Sequence, residues 1–280
     1  MANESTYTGI SGLVANVYEI ALMTAQEGNV VAPFVTTFND SKSAAPRIFG
    51  NYSGGTFLSI AESADSSAQA FNSTAGGTLT PAVMASQIFL SQRRIDSDPA
   101  TAQRESGQYL GETASAKIDT DLCGLFSSLT GGTVGTAGGT LTWANVFRAQ
   151  AYIRTNKVFG AYTCILHPVQ WYYLTAATSG VPTLMQNTAI AESIVGNFYQ
   201  ASFGGIDFFV DANITSGTAA VGAMFAKPAI SLDMRQPFSI EPQRDASRTG
   251  NGGWELNASM EYAYGVYRPT FGAQMIGTSS

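Results

Sequence analysis

The chain has 280 residues, of which 45% are hydrophobic and 12% are charged. It is therefore long enough to bury a substantial core, yet it carries about half the charged fraction of an average globular domain. With a formal net charge of -6 and 14 Lys and Arg residues, it lacks the concentrated basic surface expected of a protein that binds a nucleic-acid backbone tightly. A surface with few charges is suited to burial against partners.

The two cysteines are predicted to lie in a helix, at Cys123, and in a strand, at Cys164, which gives no support to a disulfide framework. The first residues lack a basic region followed by an apolar one, and no apolar run reaches about 18 residues. We therefore expect a protein of a reducing cytoplasm, with neither a signal peptide nor a membrane span.

Residues 1–30 are punctuated by glycine. Scattered apolar positions such as Leu13 and Val17 predict a short amphipathic segment within a flexible arm, of the kind that often lies on a neighbouring subunit. The segment Val30–Phe38 then predicts a strand, which Pro33 limits to a sheet edge or an early position.

Between Arg47 and Arg93 the sequence carries only two charged residues, Glu62 and Asp65. A segment of this length is uncommon as a loop in a compact domain. Its apolar content is too low to offset the entropy of ordering it. We expect it to be ordered by an identical neighbouring subunit, because exposed strand edges pair with other chains.

Within that segment, extended flanks at Thr56–Ala61 and Ala82–Ser91 predict a long two-armed hairpin. Asp98 and Pro99 then predict a helix start, because aspartate caps free amides and proline fits the first turn. The helix is predicted to run for about 28 residues, or about 40 Å, and to end near Gly131. Its apolar stripe consists of Leu110, Ala114, Ile118, Leu122, Leu125 and Phe126.

After a Gly/Thr linker, the pattern alternates helices and strands and predicts an α/β subdomain. Thr142 is predicted to cap a helix whose Val146, Ala149 and Ile153 share a face. The remaining predicted elements are a strand at Ala161–Leu166, a helix that begins at His167-Pro168, a helix at Ala189–Tyr199, and strands at Ile206–Val210, Ala219–Phe225 and Ile230–Met234.

From Phe238 to Ile276 the sequence is rich in strand signals, interrupted by a predicted loop at Arg244–Gly253. Apolar and polar residues alternate from Trp254 to Tyr264, which predicts a half-buried strand.

His167 is the only histidine, and as a general base it would serve a Ser or Cys nucleophile such as Cys164. A strand places positions 164 and 167 on opposite faces, however, and no G-x-S-x-G motif accompanies them. We interpret His167 as a structural residue at a strand end and Cys164 as a buried, inert thiol.

We expect no cofactor and no metal. One histidine and two separated cysteines do not supply a zinc site, and Asp119 with Asp121 lacks the spacing of a calcium loop. These two aspartates are interpreted as a solvated helix face. Four aromatic residues do not alternate with Lys or Arg, and we assign them to core packing or a subunit contact and not to base stacking. They are Trp143, Trp171, Tyr172 and Tyr173.

In their order along nearly the whole chain, these parts resemble the major capsid proteins of tailed bacteriophages, the Hong Kong 97-type fold family. The local likeness is strongest at Ala161–Leu174, where a strand, a His-Pro pair and a helix follow one another. The segment Gly205–Val210 resembles the family's glycine-led strand after a helix. The order of the parts carries the resemblance, because no single motif here is diagnostic.

The resemblance implies an α+β fold with an N-terminal arm, an extended β-hairpin loop, a long spine helix, a peripheral β-sheet domain and an axial α/β domain. The implied boundaries are 1–30 for the arm, 31–45 for the first part of the peripheral domain, 46–94 for the extended loop, 95–135 for the spine helix, 136–235 for the axial domain, 236–268 for the peripheral strands and 269–280 for a C-terminal segment.

The resemblance further implies a structural protein that self-assembles through hexamers and pentamers into an icosahedral phage head around double-stranded DNA. It would be a virion protein, assembled in the bacterial host cytoplasm beside a portal protein. The hairpin contains no lysine, so we expect no crosslinking through a loop lysine. The long helix begins too early for a built-in N-terminal scaffold, so we expect a separate scaffolding protein.

We expect contacts between copies in the extended loop and in the charged loop near Arg244, where salt bridges or a solvated loop are equally expected. The candidate contact residues are Tyr52, Phe57, Ile60, Glu62, Phe71, Leu79, Arg93, Arg94, Arg244, Asp245 and Arg248.

Three alternatives stay open. An encapsulin-like compartment would enclose a cargo enzyme, and that cargo would co-purify. A tail or decoration protein would form tubes or trimers in electron micrographs. A hydrolase that uses His167 would lose turnover in a His167→Ala variant that still assembles.

Overall fold

The computed structural model describes residues 17–24, 28–39, 45–53, 59, 62, 72–176, 199–245 and 252–280. The helices within these residues are α1 (residues 17–24), α2 (Gln92–Ser97), α3 (Pro99–Gly124), α4 (Trp143–Thr155) and α5 (Pro168–Ala176). The strands are β1 (Thr36–Phe38), β2 (Arg47–Ser53), β3 (Asn72–Leu79), β4 (Ala82–Ser91), β5 (Thr133–Gly135), β6 (Tyr162–Leu166), β7 (Tyr199–Phe203), β8 (Ile206–Val210), β9 (Ala220–Phe225), β10 (Ile230–Asp245), β11 (Gly253–Val266) and β12 (Gly272–Gly277).

Helix α3 is the predicted long helix, and its start is set by local sequence. The carboxylate of Asp98 accepts a hydrogen bond from the amide of Thr101 at 3.2 Å, and Pro99 occupies the first turn. The helix ends at Gly124 in a 3-10 turn, earlier than the predicted end near Gly131. The apolar stripe packs on the core as predicted: Leu110, Ala114, Ile118, Leu122 and Phe126 are buried, and Leu125 is partly buried.

A four-stranded sheet lies against α3 in the strand order β1-β10-β11-β4. The long strands β10 and β11 are antiparallel from the Ile230–Val266 pair to the Asp245–Gly253 pair. The predicted alternation in β11 is confirmed, since its inward residues Leu256, Ala258, Met260 and Tyr262 are buried. This alternation fixes which face of the sheet meets the helix.

Two predictions about this sheet are wrong. Ala82–Ser91 is not the second arm of the hairpin but the edge strand β4, which pairs with β11 along its full length because Ile88 and Leu90 pack on the core. The segment outside the sheet therefore ends before β4 and not at residue 94. In Val30–Phe38, a 3-10 turn holds Pro33, and only Thr36–Phe38 pairs, in parallel with the start of β10.

A second sheet of six strands has the order β5-β12-β9-β6-β8-β7 and contains both parallel and antiparallel pairs. Both of its faces are covered. One core cluster joins α3 and the four-stranded sheet to Ile165 and Phe225 of this sheet. A second cluster packs α4 and α5 on the other face, through residues such as Ile153, Leu174 and Phe208.

The C-terminal residues belong to this sheet and are not a separate segment. Strand β12 lies between β5 and β9, with Met275 opposite both Val134 and Gly222. The predicted boundary at residue 269 is therefore wrong. The pairing of β12 with β5 joins residues more than 130 positions apart, which leaves no local signal in the sequence. Of the helix predicted at Ala189–Tyr199, only Tyr199 lies within the described residues, and it begins β7.

The helices described here include none that is both long enough and apolar enough to cross a membrane.

Candidate functional site

Strands β2 and β3 form a two-stranded antiparallel ribbon, here called the hairpin, whose pairing runs from Arg47–Leu79 to Ser53–Asn72. The register shifts between Ile48 and Gly50, which places two residues of β3, Gly76 and Gly77, opposite Phe49. Such a bulge bends a strand and redirects its side chains.

The end of the hairpin near Arg47 and Leu79, here called the hairpin base, has a small hydrophobic core of its own. Phe49, Leu79 and Ala263 are buried there, with Phe38 and Tyr267 packed around them. The ring centroids of Phe49 and Tyr267 are 4.3 Å apart, and those of Phe38 and Phe49 are 5.7 Å apart. This aromatic cluster attaches the hairpin to the end of the four-stranded sheet.

Three charged residues complete the hairpin base. Asp233 Oδ2 accepts from Arg47 Nε at 2.9 Å and from an Arg235 guanidinium nitrogen at 2.8 Å. The Asp233 side chain is 0% exposed and that of Arg235 is 4% exposed. The Arg47 guanidinium also lies 4.4 Å from the ring centroid of Phe38. We call Arg47, Asp233 and Arg235 the ion triad.

The opposite face of the hairpin base is exposed at Ile48 and Thr78. Ile48 is 66% exposed because side chains alternate along a strand and its neighbours Arg47 and Phe49 point into the base. Its cross-strand partner Thr78 is also exposed. At its base, the hairpin thus has an attached inner face and an outer face on which Ile48 is exposed.

A row of residues four apart on α3, Gly107, Gly111, Ser115 and Asp119, receives the N-terminal segment, and we call this row the helix track. A Cβ atom on Gly107 would lie 2.9 Å from the carbonyl oxygen of Val17, and one on Gly111 would lie 2.5 Å from that of Ala21. The two glycines therefore let the backbone of α1 contact α3 directly. The sequence predicts that the N-terminal arm lies on a neighbour, but its described part packs on its own chain.

The last residue of the helix track holds the chain after α1. Asp119 is 0% exposed, and its carboxylate accepts from the amides of Val30 at 2.8 Å and Val31 at 3.1 Å. Asp211, also buried, lies near enough to repel it, and the Cys123 thiol donates to Asp211 Oδ2 at 3.4 Å. Burial, with a smaller effect of Asp211, raises the pKa of Asp119 to about 6.

Asp121 joins α3 to the four-stranded sheet. Its carboxylate accepts from the Tyr262 hydroxyl at 2.7 Å and from Lys117 Nζ at 2.7 Å. The interpretation of Asp119 and Asp121 as a solvated helix face is therefore wrong. Both carboxylates take part in tertiary contacts, which the spacing of residues along one helix does not reveal.

A family model described as phage capsid protein matches residues 92–274 of the chain. The chain belongs to the phage capsid protein family. A comparison with curated proteins finds no match. The capsid protein is thus a structural component of the virion that forms the shell of a phage head.

Solved structures show the same fold. The capsid of the cyanophage P-SCSP1u has a TM-score of 0.66 at 13% identity, with 90% of this chain and 89% of that chain covered. A structure from Mycobacterium phage Che8 has a TM-score of 0.65 at 13% identity, with 88% of this chain and 90% of that chain covered. A virus-like particle from Pyrococcus furiosus has a TM-score of 0.60 at 10% identity, with 94% of this chain and 98% of that chain covered. The capsid protein therefore has the Hong Kong 97-type fold that the sequence resembles.

The structure separates the predicted contact residues into groups. Phe57, Ile60, Phe71 and Arg248 lie outside the described residues. Tyr52 is in β2, where its backbone pairs with Ser73, and Glu62 is an exposed turn residue.

The other predicted contact residues are described in full. Leu79 is buried within its own subunit and so supports the hairpin base instead of presenting a surface. Arg93 and Arg94 are exposed in α2, and Arg94 pairs with Glu105 of α3. Arg244 and Asp245, predicted to lie in a loop, end β10 and pair with Trp254 and Gly253 because the two long strands stay paired up to the turn between them.

His167 lies at the end of β6, and its Nδ1 accepts from the amide of Val169 at 3.2 Å. Burial lowers its pKa, with Asp211 opposing this effect. Cys164 is buried in β6 beside the Met275 sulfur, and burial raises the pKa of its thiol. His167 therefore has a backbone partner that makes it a structural cap for α5.

The part of the capsid protein that the structure describes contains no group of three His, Cys, Asp or Glu side chains placed to hold an ion. Sequence reasoning missed the ion triad and the helix track. The glycine pair in the sequence Gly107-x-x-x-Gly111 is the one signal that points to the track.

Proposed function

We propose that the capsid protein forms hexamers and pentamers in which the hairpin of each copy lies against the next copy, and that these close into an icosahedral head around double-stranded DNA. The observation that carries this proposal is the two-sided hairpin. Its inner face is attached to its own sheet through Phe49 and Arg47, whereas its outer face presents Ile48 to solvent.

A two-stranded ribbon is marginal in water unless it packs against something. The hairpin base supplies such packing at the end near Arg47 and Leu79, and we infer that a surface on another copy supplies it for the remainder of the ribbon. The contact is heterologous, because the hairpin of one copy meets a different surface of the next. Heterologous contacts close into rings when the rotation between copies divides a full turn, which a hexamer and a pentamer both satisfy.

The charge balance fits an enclosed DNA genome. With a net charge of -6, the shell does not attract the phosphate backbone strongly, so packaged DNA stays free to move in and out. We propose a separate scaffolding protein and a portal protein as further partners, and assembly in the cytoplasm of the bacterial host. The family membership supports these partners.

Shortening the hairpin tests this function. Because Ser53 pairs with Asn72, residues 54–71 are replaced by an Asn-Gly turn, which suits a two-residue hairpin connection. This change leaves the hairpin base and its ion triad in place. We expect a soluble, folded subunit that forms no shells in negative-stain electron microscopy when it is expressed with its scaffolding protein.

The matched control changes the described surface elsewhere: Phe159, which is exposed outside both sheets, is replaced by Ser, and shells are expected to form. Intact shells from the shortened protein would contradict the proposal. The nucleic-acid content of wild-type particles, read as the absorbance ratio at 260 and 280 nm after gradient purification from infected cells, distinguishes a DNA-filled head from a compartment that holds a protein cargo.

A further inference from the structure

The ion triad lies where the chain leaves the four-stranded sheet to enter the hairpin. Asp233 and Arg235 belong to β10, and Arg47 is the first residue of β2. Arg235 also donates to the carbonyl oxygen of Ala45 at 3.4 Å. The triad therefore connects the sheet to the chain on both sides of the point where the hairpin begins.

Stability alone does not explain this arrangement. Removing charges from water is costly, and well-packed apolar residues often stabilise a core as well as a buried ion pair does. The neighbouring Phe38, Phe49 and Tyr267 already provide apolar packing at the hairpin base. A charge-assisted contact adds direction, because an arginine guanidinium bonds a carboxylate only in a restricted plane.

The contact lies at the first residue of β2, where the hairpin begins. Arg47 is fixed in two ways, by Asp233 at 2.9 Å and by the ring of Phe38 at 4.4 Å. The bulge opposite Phe49 bends the hairpin immediately beyond Arg47. A bend at a bulge is soft unless contacts on either side hold its angle, and the ion triad lies on the side nearest the sheet.

We propose that Arg47, held by Asp233, is a positioning residue, and that the ion triad sets the angle at which the hairpin leaves its own sheet and thereby the place where it meets the next copy. This inference rests on the proposed role of the hairpin in assembly. The seven residues of β2 span about 20 Å at about 3.3 Å per residue. A tilt of about 10° moves their far end by about 3 to 4 Å, which is enough to break van der Waals contact with a partner.

The test replaces Arg47 with Met, which keeps an unbranched side chain beside Phe38 and leaves the buried Asp233–Arg235 pair intact. The control is Arg148→Met. The guanidinium of Arg148 lies 5.3 Å from the ring centroid of Tyr152 in α4, a similar arrangement in a different element. If Arg47→Met fails to fold, Arg47→Lys keeps the charge but loses the planar contact and takes its place.

Two measurements are made on each variant. Hydrogen exchange of the unassembled subunit is expected to be about tenfold faster at residues 47–53 in Arg47→Met than in wild type, with residues 253–266 unchanged. Particles formed with the scaffolding protein are expected to have a broader diameter distribution in electron micrographs. Arg148→Met is expected to match wild type in both measurements.

Unchanged exchange at residues 47–53 would overturn the proposal, and so would faster exchange combined with particles as uniform as those of wild type. Failure of the proposed function has a different result. If shortening the hairpin leaves shells intact while Arg47→Met still accelerates exchange at residues 47–53, the triad orients the hairpin but the hairpin does not direct assembly.

Discussion

The carboxylate of Asp119, in the C-terminal part of α3, accepts a hydrogen bond from the backbone amide of Val30 at 2.8 Å, across 89 positions of the sequence. A second bond from Val31 occupies the other carboxylate oxygen. This one side chain therefore fixes the backbone of the N-terminal segment at the last residue of the helix track. Asp119 is fully buried beside Asp211, so its charge has an energetic cost that depends on pH.

Because of Asp119, we expect the subunit to be more stable at acidic pH than at neutral pH. Its pKa is about 6 in the folded protein and 3.8 in the absence of burial, so the folded state binds more protons than the unfolded state between these values. The free energy of unfolding is then expected to decrease as pH rises from about 4 to about 6, by up to about 3 kcal/mol from this group. Urea denaturation of the unassembled subunit at several pH values measures the slope.

Asp119→Asn is expected to flatten that slope, because the amide does not titrate while its oxygen still accepts from one backbone amide. Glu112→Gln, an exposed position on the same helix, is expected to keep the wild-type slope. A wild-type slope that survives in Asp119→Asn would assign the pH dependence to another group.

Adding a side chain at either glycine of the helix track is expected to lower the free energy of unfolding, because α1 occupies the space. In a helix, Gly→Ala alone is stabilising by up to about 1 kcal/mol. At Gly111, however, the new Cβ meets the Ala21 carbonyl oxygen at 2.5 Å and the Thr24 Cβ at 2.7 Å. We expect Gly111→Ala to lower the free energy of unfolding by about 1–3 kcal/mol and to expose α1 to limited proteolysis.

Gly124→Ala is the control, because a Cβ there meets nothing within 4 Å. It is expected to leave the free energy of unfolding unchanged or to raise it slightly. Equal effects of the two substitutions in urea denaturation would show that α1 does not pack closely on α3 in solution.

Local signals account for the elements that sequence reasoning placed correctly. The start of α3 follows from Asp98 and Pro99, and the alternation in β11 follows from side chains that point in turn to the core and to solvent. Such signals are contained in a few consecutive residues. They also carry the resemblance to the capsid fold, because that resemblance depends on the order of elements.

Pairings between distant residues account for what was missed. Strand β4 has the composition of a hairpin arm, and only its register with β11 shows that it belongs to the sheet. Aspartate is usually a surface residue. Asp119 and Asp233 are buried because hydrogen-bond partners come from elsewhere: Val30 for Asp119, and Arg47 and Arg235 for Asp233. No periodicity within α3 or β10 encodes those partners.

The two thiols are predicted to be unreactive in the folded subunit. Cys123 and Cys164 are both free and buried, and burial raises the pKa of each thiol, with Asp211 adding to the effect at Cys123. A thiolate is the reactive form, so a thiol-specific chromogenic reagent at pH 8 is expected to label neither residue. Both should react at once in guanidinium chloride. Labelling of Cys123 in the folded subunit at the rate of a free cysteine would show that α3 separates from the loop after β8.

A charged substitution at Ile48 is expected to prevent assembly without affecting folding. It is 66% exposed in the subunit, so Ile48→Glu is expected to change the free energy of unfolding by no more than about 0.5 kcal/mol. If the hairpin lies against the next copy as proposed, the same change places an unpaired charge in that contact, which is costly because a buried charge needs a partner. We therefore expect Ile48→Glu subunits to remain soluble and unassembled by size-exclusion chromatography and electron microscopy, whereas Ile48→Val assembles normally. Shells of wild-type yield from Ile48→Glu would show that this face of the hairpin stays in solvent, and that another surface of the subunit makes the contact.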